Sequence, residues 1–249
     1  MKIIASDYDG TLNHGGFDDA KLNAIDRWRK AGNIFALISG RSPSDLLRLY
    51  REKEFGCDYL VADNGAVILT TDGEVVSQSS CDGSLAVPLI NLIFDCGCGW
   101  AYVQTQSDFS VFLNSDDFEK DNDYTLSDMP EVLYFNQINT RLADFETAAQ
   151  VTAKIAETFK GQLNPLQNGI CIDIVRHDIN KAKGIYALMD IIGAKYDDVI
   201  AVGDNVNDRD MIAEFKSYAM ENGVDSIKEI ADFITPGITE LIEKELSIN

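Results

Sequence analysis

The chain has 249 residues and a formal net charge of -20, which argues against nucleic acid or an anionic membrane surface as a partner, because both require a basic surface. With 45% hydrophobic and 25% charged residues, its composition is that of a soluble globular protein. No apolar run approaches the roughly 20 residues that cross a bilayer, and the N-terminus lacks the pattern of a signal peptide, so we expect a cytoplasmic protein.

The cysteines indicate neither a disulfide framework nor a zinc site. There are five of them, an odd number in a chain that we expect to be intracellular, so we predict that they are reduced. Cys96 and Cys98 form half of a possible metal site, but no second thiol pair follows, and His14 and His177 are the only histidines. Ligand count therefore disfavours zinc.

Two carboxylates follow the first predicted strand, residues 3–5, in the stretch Asp7-Tyr8-Asp9-Gly10-Thr11. In an open parallel sheet, ligands bind beyond the carboxyl ends of the strands. Asp7 can act as a nucleophile toward phosphorus, and Asp9 can carry a proton to and from oxygen. We expect Gly10 to leave its N–H free for an anion. The paired charges require a cation, for which Mg²⁺ is suited; an isolated match to this motif is more often a solvated acidic turn.

The second predicted strand, residues 35–38, follows a helix that contains Leu22, Ile25 and Trp28. The strand ends at Ser39-Gly40-Arg41, where Ser39 is either a hydroxyl donor to a ligand or an ordinary turn residue. Ser42 as cap and Pro43 in the first turn begin the next helix.

The third predicted strand, residues 59–62, is followed by Asn64-Gly65 and a hairpin over residues 66–76. We considered Arg41 and Asn64 as possible substrate contacts, since loops at this edge of a sheet often bind ligands, and equally as structural turn residues. From about residue 81 to residue 174, strands and helices follow in an order that predicts an inserted α+β unit. Its strands are expected at 100–104, 109–113, 132–138 and 170–174, and its acidic stretch 116–123 is expected to be a solvated loop.

The last third of the chain returns to alternating strands and helices. A helix begins at Asn180-Lys181-Ala182-Lys183-Gly184, where a lysine opposes the helix dipole unless an anion binds there. The next predicted strand, residues 199–202, leads to Asp204, Asn207 and Asp208, of which Asp208 either caps a helix or serves the site.

Taken together, these loops carry a nucleophile with an acid, a hydroxyl group, a lysine and a carboxylate suited to a metal. Phosphoryl transfer requires an oxygen nucleophile in line with the leaving group, cations around the phosphoryl oxygens, and a proton donor. The sequence therefore predicts phosphoryl-transfer chemistry.

The motifs DYDGT, SGR, KAKG and GDNVND, in this order, resemble the four motifs of the haloacid dehalogenase superfamily. The position of the insert resembles the Cof-type branch, whose members are similar to sugar phosphatases. The resemblance implies an α/β fold: a Rossmann-like parallel-sheet core domain at residues 1–80 and 175–249, with an inserted α+β cap of the αββ type at residues 81–174.

The same resemblance implies a role for each motif residue. Asp7 would attack phosphorus to form an aspartyl phosphate, and Asp9 would protonate the leaving alcohol and then activate water. The remaining roles are phosphate binding by Ser39, Lys183, Asn207 and Gly10; Mg²⁺ binding by Asp7, Asp204 and the backbone carbonyl of Asp9; and support of the site by Asp208, directly or through Lys183. Lys181 lies two residues before Lys183, and we choose Lys183 because Gly184 and the helix follow it directly.

We therefore predict a Mg²⁺-dependent phosphatase that acts on a small phosphorylated metabolite, with a sugar phosphate as the first candidate, and that exists as a monomer or weak homodimer. Two alternatives stay open. One is a phosphomutase of the same superfamily, which would return the phosphoryl group to a sugar. The other is a binding or regulatory module that holds a phosphorylated ligand without turnover.

Overall fold

The computed structural model describes residues 1–119 and 121–247. The chain divides into two compact units, which we call unit 1 (Met1–Ser77 and Asn180–Asn249) and unit 2 (Gln78–Ile179). Among the described residues, no helix is long and apolar enough to span a membrane.

The strands and helices are numbered along the chain. The strands are β1 (Ile3–Ser6), β2 (Ile34–Ile38), β3 (Tyr59–Ala62), β4 (Val67–Thr70), β5 (Val75–Gln78), β6 (Cys81–Asp82), β7 (Trp100–Gln104), β8 (Phe109–Phe112), β9 (Asp123–Thr125), β10 (Tyr134–Phe135), β11 (Gln137–Arg141), β12 (Leu163–Asn168), β13 (Cys171–Arg176), β14 (Val199–Gly203), β15 (Lys216–Met220) and β16 (Phe233–Thr235). The helices are α1 (Asp19–Lys30), α2 (Pro43–Lys53), α3 (Ala86–Asp95), α4 (Phe145–Thr158), α5 (Lys181–Ile192), α6 (Arg209–Glu214), α7 (Asp225–Lys228) and α8 (Ile238–Ser247).

Unit 1 is built on a sheet with the strand order β16-β15-β14-β1-β2-β3-β4-β5. The six strands from β16 to β3 run parallel, and β4 returns antiparallel to β3. β1 is a continuous apolar run with its first three residues fully buried, as expected for a parallel strand covered on both faces. Ala5 of β1 lies in register with Ala201 of β14 and Ala36 of β2, so these three strands end at the same edge.

Local capping fixes where the helices of unit 1 begin. The Asp18 carboxylate accepts a hydrogen bond from the Lys21 N–H at 2.8 Å at the start of α1. The Ser42 hydroxyl does the same for the Asp45 N–H at 3.2 Å at the start of α2. Both caps satisfy backbone donors that have no partner within the helix.

Unit 2 contains a six-stranded sheet, β12-β13-β11-β7-β8-β9, and a short two-stranded sheet, β10-β6. Alternate residues of the larger sheet, including Val103, Ile138 and Ile174, pack with the apolar faces of α3 and α4 into one core. The predicted α/β core with an inserted α+β unit is therefore confirmed at the level of fold class.

Several details of unit 2 differ from the prediction. The run 132–138 is divided into β10 and β11, which are separated by Asn136. Strand β12 was not predicted; it contains Pro165, which an edge strand tolerates because one side of its backbone needs no partner. A boundary after residue 174 would cut β13, which continues to Arg176, so unit 2 extends to Ile179. Residue 120 of the predicted acidic loop lies outside the described residues.

A buried carboxylate, Glu245, attaches α8 to the sheet. It accepts hydrogen bonds from Lys216 Nζ and from the hydroxyl of Tyr218, each at 2.6 Å, and it pairs with Lys2 Nζ at 3.5 Å. These contacts outweigh the burial that opposes its charge and lower the pKa of Glu245. The contribution to stability is therefore present above the carboxyl pKa of the unfolded chain and is lost as the pH falls through the lowered value.

We expect Glu245→Ala to reduce the free energy of unfolding by about 2–4 kcal/mol, because it leaves Tyr218 and two lysines without their buried acceptor. The matched control is Glu243→Ala, which removes an exposed carboxylate of the same helix that pairs with Arg27. Its effect should be about 0–1 kcal/mol. Urea unfolding measures both, and equal losses in the two variants would contradict this role.

Candidate active site

The carboxyl ends of β1 and β14 bring Asp7 and Asp204 together. Asp7 directly follows β1, and its N–H donates to the Val202 carbonyl of β14 at 3.0 Å, which extends the pairing of the two strands. The carboxylate oxygens of Asp7, Asp204 and Asp208 lie within 4.8 Å of one another. Segments about 200 positions apart in sequence thus form one acidic cluster, as the strand-end motifs predicted.

A buried lysine balances part of this negative charge. Lys181 is fully buried, and its Nζ donates to Asp7 Oδ1 at 2.6 Å and to Asp208 Oδ1. Burial opposes the positive charge, but Asp208 and Asp7 outweigh it and raise the pKa of Lys181 above its ordinary value. Lys181 therefore stays protonated and restrains the Asp7 carboxylate.

The lysine that we chose from sequence, Lys183, does not contact Asp7. It is exposed, and its Nζ lies 5.6 Å from the centre of the Tyr186 ring. The reason is helix geometry: Asn180 caps α5 by accepting the Lys183 N–H at 2.9 Å, so the helix begins at Lys181. Lys181 then lies on the buried face with Ile185 and Leu188, whereas Lys183 is turned about 200° away.

Asp208 connects Lys181 to the loop that carries Asp204. It is fully buried, and its Oδ2 accepts the N–H groups of Asp204 at 2.9 Å and of Asn205 at 3.1 Å. Its other oxygen binds Lys181. Because both oxygens are engaged, Asp208 fixes the Asp204 loop and orients the lysine, which is one of the two roles considered from sequence.

Burial raises the pKa of two carboxylates of the cluster, Asp7 and Asp204, and different neighbours modify the effect. Burial raises the pKa of Asp7 to about 8; Lys181 offsets part of the effect, while Asp208 and Asp204 add to it. Burial also raises the pKa of Asp204, against a hydrogen bond of 2.8 Å from the Thr11 hydroxyl to its Oδ1. Thr11 was not singled out from sequence, although it belongs to the DYDGT motif.

This donor set fits a hard divalent cation. Three carboxylates lie within 4.8 Å of one another, and the one buried lysine, Lys181, contacts Asp7 and Asp208, so a single positive charge faces three carboxylates. Asp7 and Asp204 offer the oxygen ligands that Mg²⁺ prefers, and the carbonyl of Asp9 stays the predicted third protein ligand. The residues present therefore suit Mg²⁺.

Gly10 makes the close approach of the two motifs possible. Its φ is +82°, and a Cβ at this position would lie 2.4 Å from Asp204 Oδ2. The predicted free N–H is wrong: the Gly10 N–H donates to Asn13 Oδ1 at 3.0 Å, because the loop turns back on itself after Gly10. Its carbonyl accepts from Asn222 Nδ2 at 2.8 Å, so a late segment of the chain also holds this loop.

A second lysine fixes the rest of the first loop. Lys21 of α1 is buried, and its Nζ donates to three backbone carbonyls, those of Leu12 at 2.8 Å, His14 at 2.7 Å and Gly16 at 2.6 Å. Three converging carbonyls satisfy all three donors of an ammonium group. No pattern in the sequence indicates this contact, because Lys21 lies in an ordinary helical segment without a motif.

Asp9 and Arg41 form an ion pair that the sequence did not predict. Arg41 Nε donates to Asp9 Oδ2 at 2.7 Å, and Arg41 Nη2 donates to Asp9 Oδ1 at 2.8 Å. The hydrogen bonds to Asp9 are the main reason that the pKa of Arg41 is raised. The guanidinium that we considered for the substrate therefore contacts the predicted acid.

The other predicted residues lie around this cluster. Ser39 is buried directly after β2, and its Oγ accepts the Arg41 N–H at 3.2 Å. Asn64 is fully buried with a φ of 54°, and its N–H donates to the Ser39 carbonyl at 2.9 Å, which favours the structural alternative considered for it. Asn207 is half-buried between Asp204 and Asp208. Phosphate contacts of Ser39 and Asn207 stay predictions.

Known proteins share this fold and sequence pattern. The chain is 23% identical to a 5-amino-6-(5-phospho-D-ribitylamino)uracil phosphatase of Bacillus subtilis, with 99% of each protein covered. It is also 23% identical to an HMP-PP phosphatase of Cronobacter sakazakii, over 85% of this chain and 80% of that protein.

Solved structures agree with this likeness. The structure of SMU.1108c from Streptococcus mutans superposes with a TM-score of 0.84 at 20% identity and 99% coverage of both chains. A subclass IIB sugar phosphatase of the haloacid dehalogenase superfamily, BT4131, superposes with a TM-score of 0.81 at 17% identity and 98% coverage of both. Residues 4–240 match the haloacid dehalogenase-like hydrolase family, so the chain belongs to this family of enzymes, and the resemblance identified from its four motifs is confirmed.

Proposed function

We propose that this hydrolase is a Mg²⁺-dependent phosphatase that releases phosphate from a small phosphorylated metabolite through an aspartyl phosphate on Asp7. The observation that carries the proposal is the contact of Lys181 with both Asp7 and Asp208, beside the carboxylate of Asp204. This arrangement presents a restrained carboxylate next to a place for a cation and an anionic phosphoryl group. The phosphatase activities named for the relatives support the same reaction class.

In the first half-reaction, an oxygen of the Asp7 carboxylate attacks phosphorus in line with the leaving oxygen. The bond between phosphorus and the leaving oxygen breaks, its electron pair goes to that oxygen, and Asp9 supplies the proton that makes the leaving group an alcohol. Lys181 holds Asp7 Oδ1, so it fixes the carboxylate for the attack.

In the second half-reaction, water attacks the phosphorus of the aspartyl phosphate. Asp9, now ionised, takes the proton of the attacking water, and the bond between phosphorus and Asp7 oxygen breaks to regenerate the carboxylate and inorganic phosphate. The same carboxyl group thus acts first as the acid and then as the base.

Mg²⁺ would be held by Asp7, Asp204 and the Asp9 carbonyl, and it would neutralise charge on the phosphoryl oxygens. Ser39 and Asn207 are the proposed phosphate contacts, and Lys181 takes the role that we gave to Lys183. Asp208 sets the position of both Lys181 and the Asp204 loop.

A sugar phosphate is the first substrate candidate. It is supported by the overall similarity to a subclass IIB sugar phosphatase and by the phosphorylated ribityl compound named for the B. subtilis relative. Unit 2 is the proposed cap that selects the substrate. A cytoplasmic location and a monomeric or weakly dimeric state also stay predictions.

A panel of phosphorylated metabolites tests the function. With Mg²⁺, the protein should release inorganic phosphate from at least one sugar phosphate without a bisphosphate activator, and a chelator should stop the release. Failure to hydrolyse any ester of a broad panel would refute the proposal and favour the binding module.

We expect Mg²⁺ to stabilise the folded protein, because it binds a site that the unfolded chain lacks. At a concentration one hundred times the dissociation constant, the gain is about 2.7 kcal/mol, visible as a rise in melting temperature. Asp204→Asn should abolish most of this rise by removing one ligand oxygen. The control Asp225→Asn changes a carboxylate that is 94% exposed, and it should keep the full rise. An undiminished rise in Asp204→Asn would contradict the assigned metal site.

A further inference from the structure

Arg41 forms two hydrogen bonds with the carboxylate of Asp9, the residue that we propose as the proton donor. Its Nε and Nη2 donate separately to the two oxygens of Asp9, at 2.7 and 2.8 Å. Two parallel bonds from a planar guanidinium fix both the position and the plane of a carboxylate, which a single bond cannot do.

The arginine is itself held on several sides. Its N–H donates to Ser39 Oγ at 3.2 Å, and its carbonyl accepts from the Asp63 N–H at 3.0 Å. The guanidinium lies 5.5 Å from the centre of the Tyr8 ring, which is buried and stacks on Phe17. These contacts therefore restrain the position of Arg41, which connects the second motif to the first.

Of the two carboxylates in the first motif, Asp9 depends more on a contact that fixes its position. Its side chain is 51% exposed, whereas that of Asp7 is 7% exposed and bound to Lys181. Its backbone is extended, with φ of -78° and ψ of 117°, and it is followed by Gly10 with φ of +82°. A half-exposed carboxylate without the fork would populate several rotamers, and a proton donor has to lie within hydrogen-bond reach of the leaving oxygen.

We propose that Arg41 is a positioning residue that sets the place and orientation of the Asp9 carboxylate for proton transfer to the leaving group. This inference rests on the proposed function. When Asp9 carries the proton, its O–H is the donor to the leaving oxygen, and both carboxyl oxygens keep lone pairs that can accept from Arg41.

The dependence of the rate on the leaving group tests this role. A p-nitrophenolate leaves without help from an acid, whereas the alkoxide of a sugar phosphate needs a proton. The comparison uses kcat/KM, which reports the steps up to formation of the aspartyl phosphate and so excludes the attack of water that all substrates share.

For Arg41→Ala, we expect kcat/KM to fall about 10- to 100-fold for the best sugar phosphate of the panel, part of the full contribution of a general acid. For p-nitrophenyl phosphate the decrease should be no more than about threefold, because little proton transfer is needed. Arg41→Lys should recover part of the lost rate, since an ammonium group can make one of the two bonds. The control Arg48→Ala removes an exposed arginine of α2 that pairs with Asp45 and Glu52, and it should leave both substrates unaffected.

A double-mutant cycle completes the test. In an Asp9→Asn background, Arg41→Ala should cause almost no further loss with the sugar phosphate, because the group that it positions is gone. Losses that add, or an equal decrease on both substrates with a raised KM for the sugar phosphate, would overturn the inference and show that Arg41 binds the substrate. Melting curves check that each variant folds, and Arg41→Lys carries the comparison if Arg41→Ala does not. A wild-type protein that hydrolyses neither ester would overturn the proposed function and this inference with it.

Discussion

Asp7→Asn is expected to reduce phosphate release by a factor on the order of 10⁴ to 10⁶ with every substrate, because an amide cannot replace the carboxylate that we propose as the nucleophile. The effect should be the same for good and poor leaving groups, in contrast to the effect of Arg41→Ala. Phosphate release under saturating substrate and Mg²⁺ measures it.

The fold should survive this substitution. Burial raises the pKa of Asp7 to about 8, so the ionised carboxylate is disfavoured at its position, and a neutral amide of the same shape removes that penalty. We therefore expect a melting temperature without Mg²⁺ that is equal to or above that of the wild type. Asp45→Asn, which changes an exposed carboxylate in α2, is the matched control for activity. Residual turnover within tenfold of the wild type would exclude Asp7 as nucleophile.

Lys181→Met should impair both stability and turnover. It leaves the carboxylates of Asp7 and Asp208 buried without their cation, which costs about 3–5 kcal/mol of the free energy of unfolding when one partner of a buried ion pair is removed. Turnover should fall about 10²- to 10³-fold, the usual effect of losing one electrostatic contact in an active site. Urea unfolding and phosphate release measure the two effects.

The chain supplies its own control two residues later. Lys183→Met removes an exposed lysine of the same helix, so stability should change by about 0.5 kcal/mol or less and turnover should be unchanged. The two variants therefore distinguish Lys181, the lysine identified from the structure, from Lys183, the lysine chosen from the sequence. A severe loss in Lys183→Met with a mild loss in Lys181→Met would show that Lys183 is the active-site lysine.

The strand-end residues of the site could be predicted from sequence because their signal is local. Apolar runs such as residues 3–5 and 199–202 identify buried strands, and the ends of parallel strands share one edge of a sheet. Asp7, Ser39 and Asp204 are accordingly found where the motifs predicted them, directly after β1, β2 and β14.

The choice of lysine was wrong because it depended on helical phase, which a motif alone does not supply. Lys181, Ile185 and Leu188 recur at the spacing of one helix face, and this periodicity would have identified Lys181 as the buried residue. The prediction that the Gly10 N–H is free was wrong for a related reason. Its acceptor, Asn13, lies in a turn, and the conformation of that turn has no periodic signal in the sequence.

Contacts between polar residues that are distant in the chain could not be predicted from the sequence. The fork of Arg41 on Asp9 joins loops 32 positions apart, and the bond of Asn222 to Gly10 joins loops 212 positions apart. Neither pair has a local pattern, since each depends on how the strand-end loops are placed side by side. Strand β12 was missed because its proline and polar residues are typical of a loop and are tolerated only at a sheet edge.

Trapping the covalent intermediate tests directly whether Asp7 is the nucleophile. The protein is mixed with a sugar phosphate and Mg²⁺, quenched in acid during turnover, treated with borohydride and analysed by mass spectrometry after digestion. An acyl phosphate on Asp7 is reduced to homoserine, so we expect homoserine at position 7 in the wild type and none in Asp7→Asn. Homoserine at another aspartate, or an unmodified Asp7 during rapid phosphate release, would contradict it.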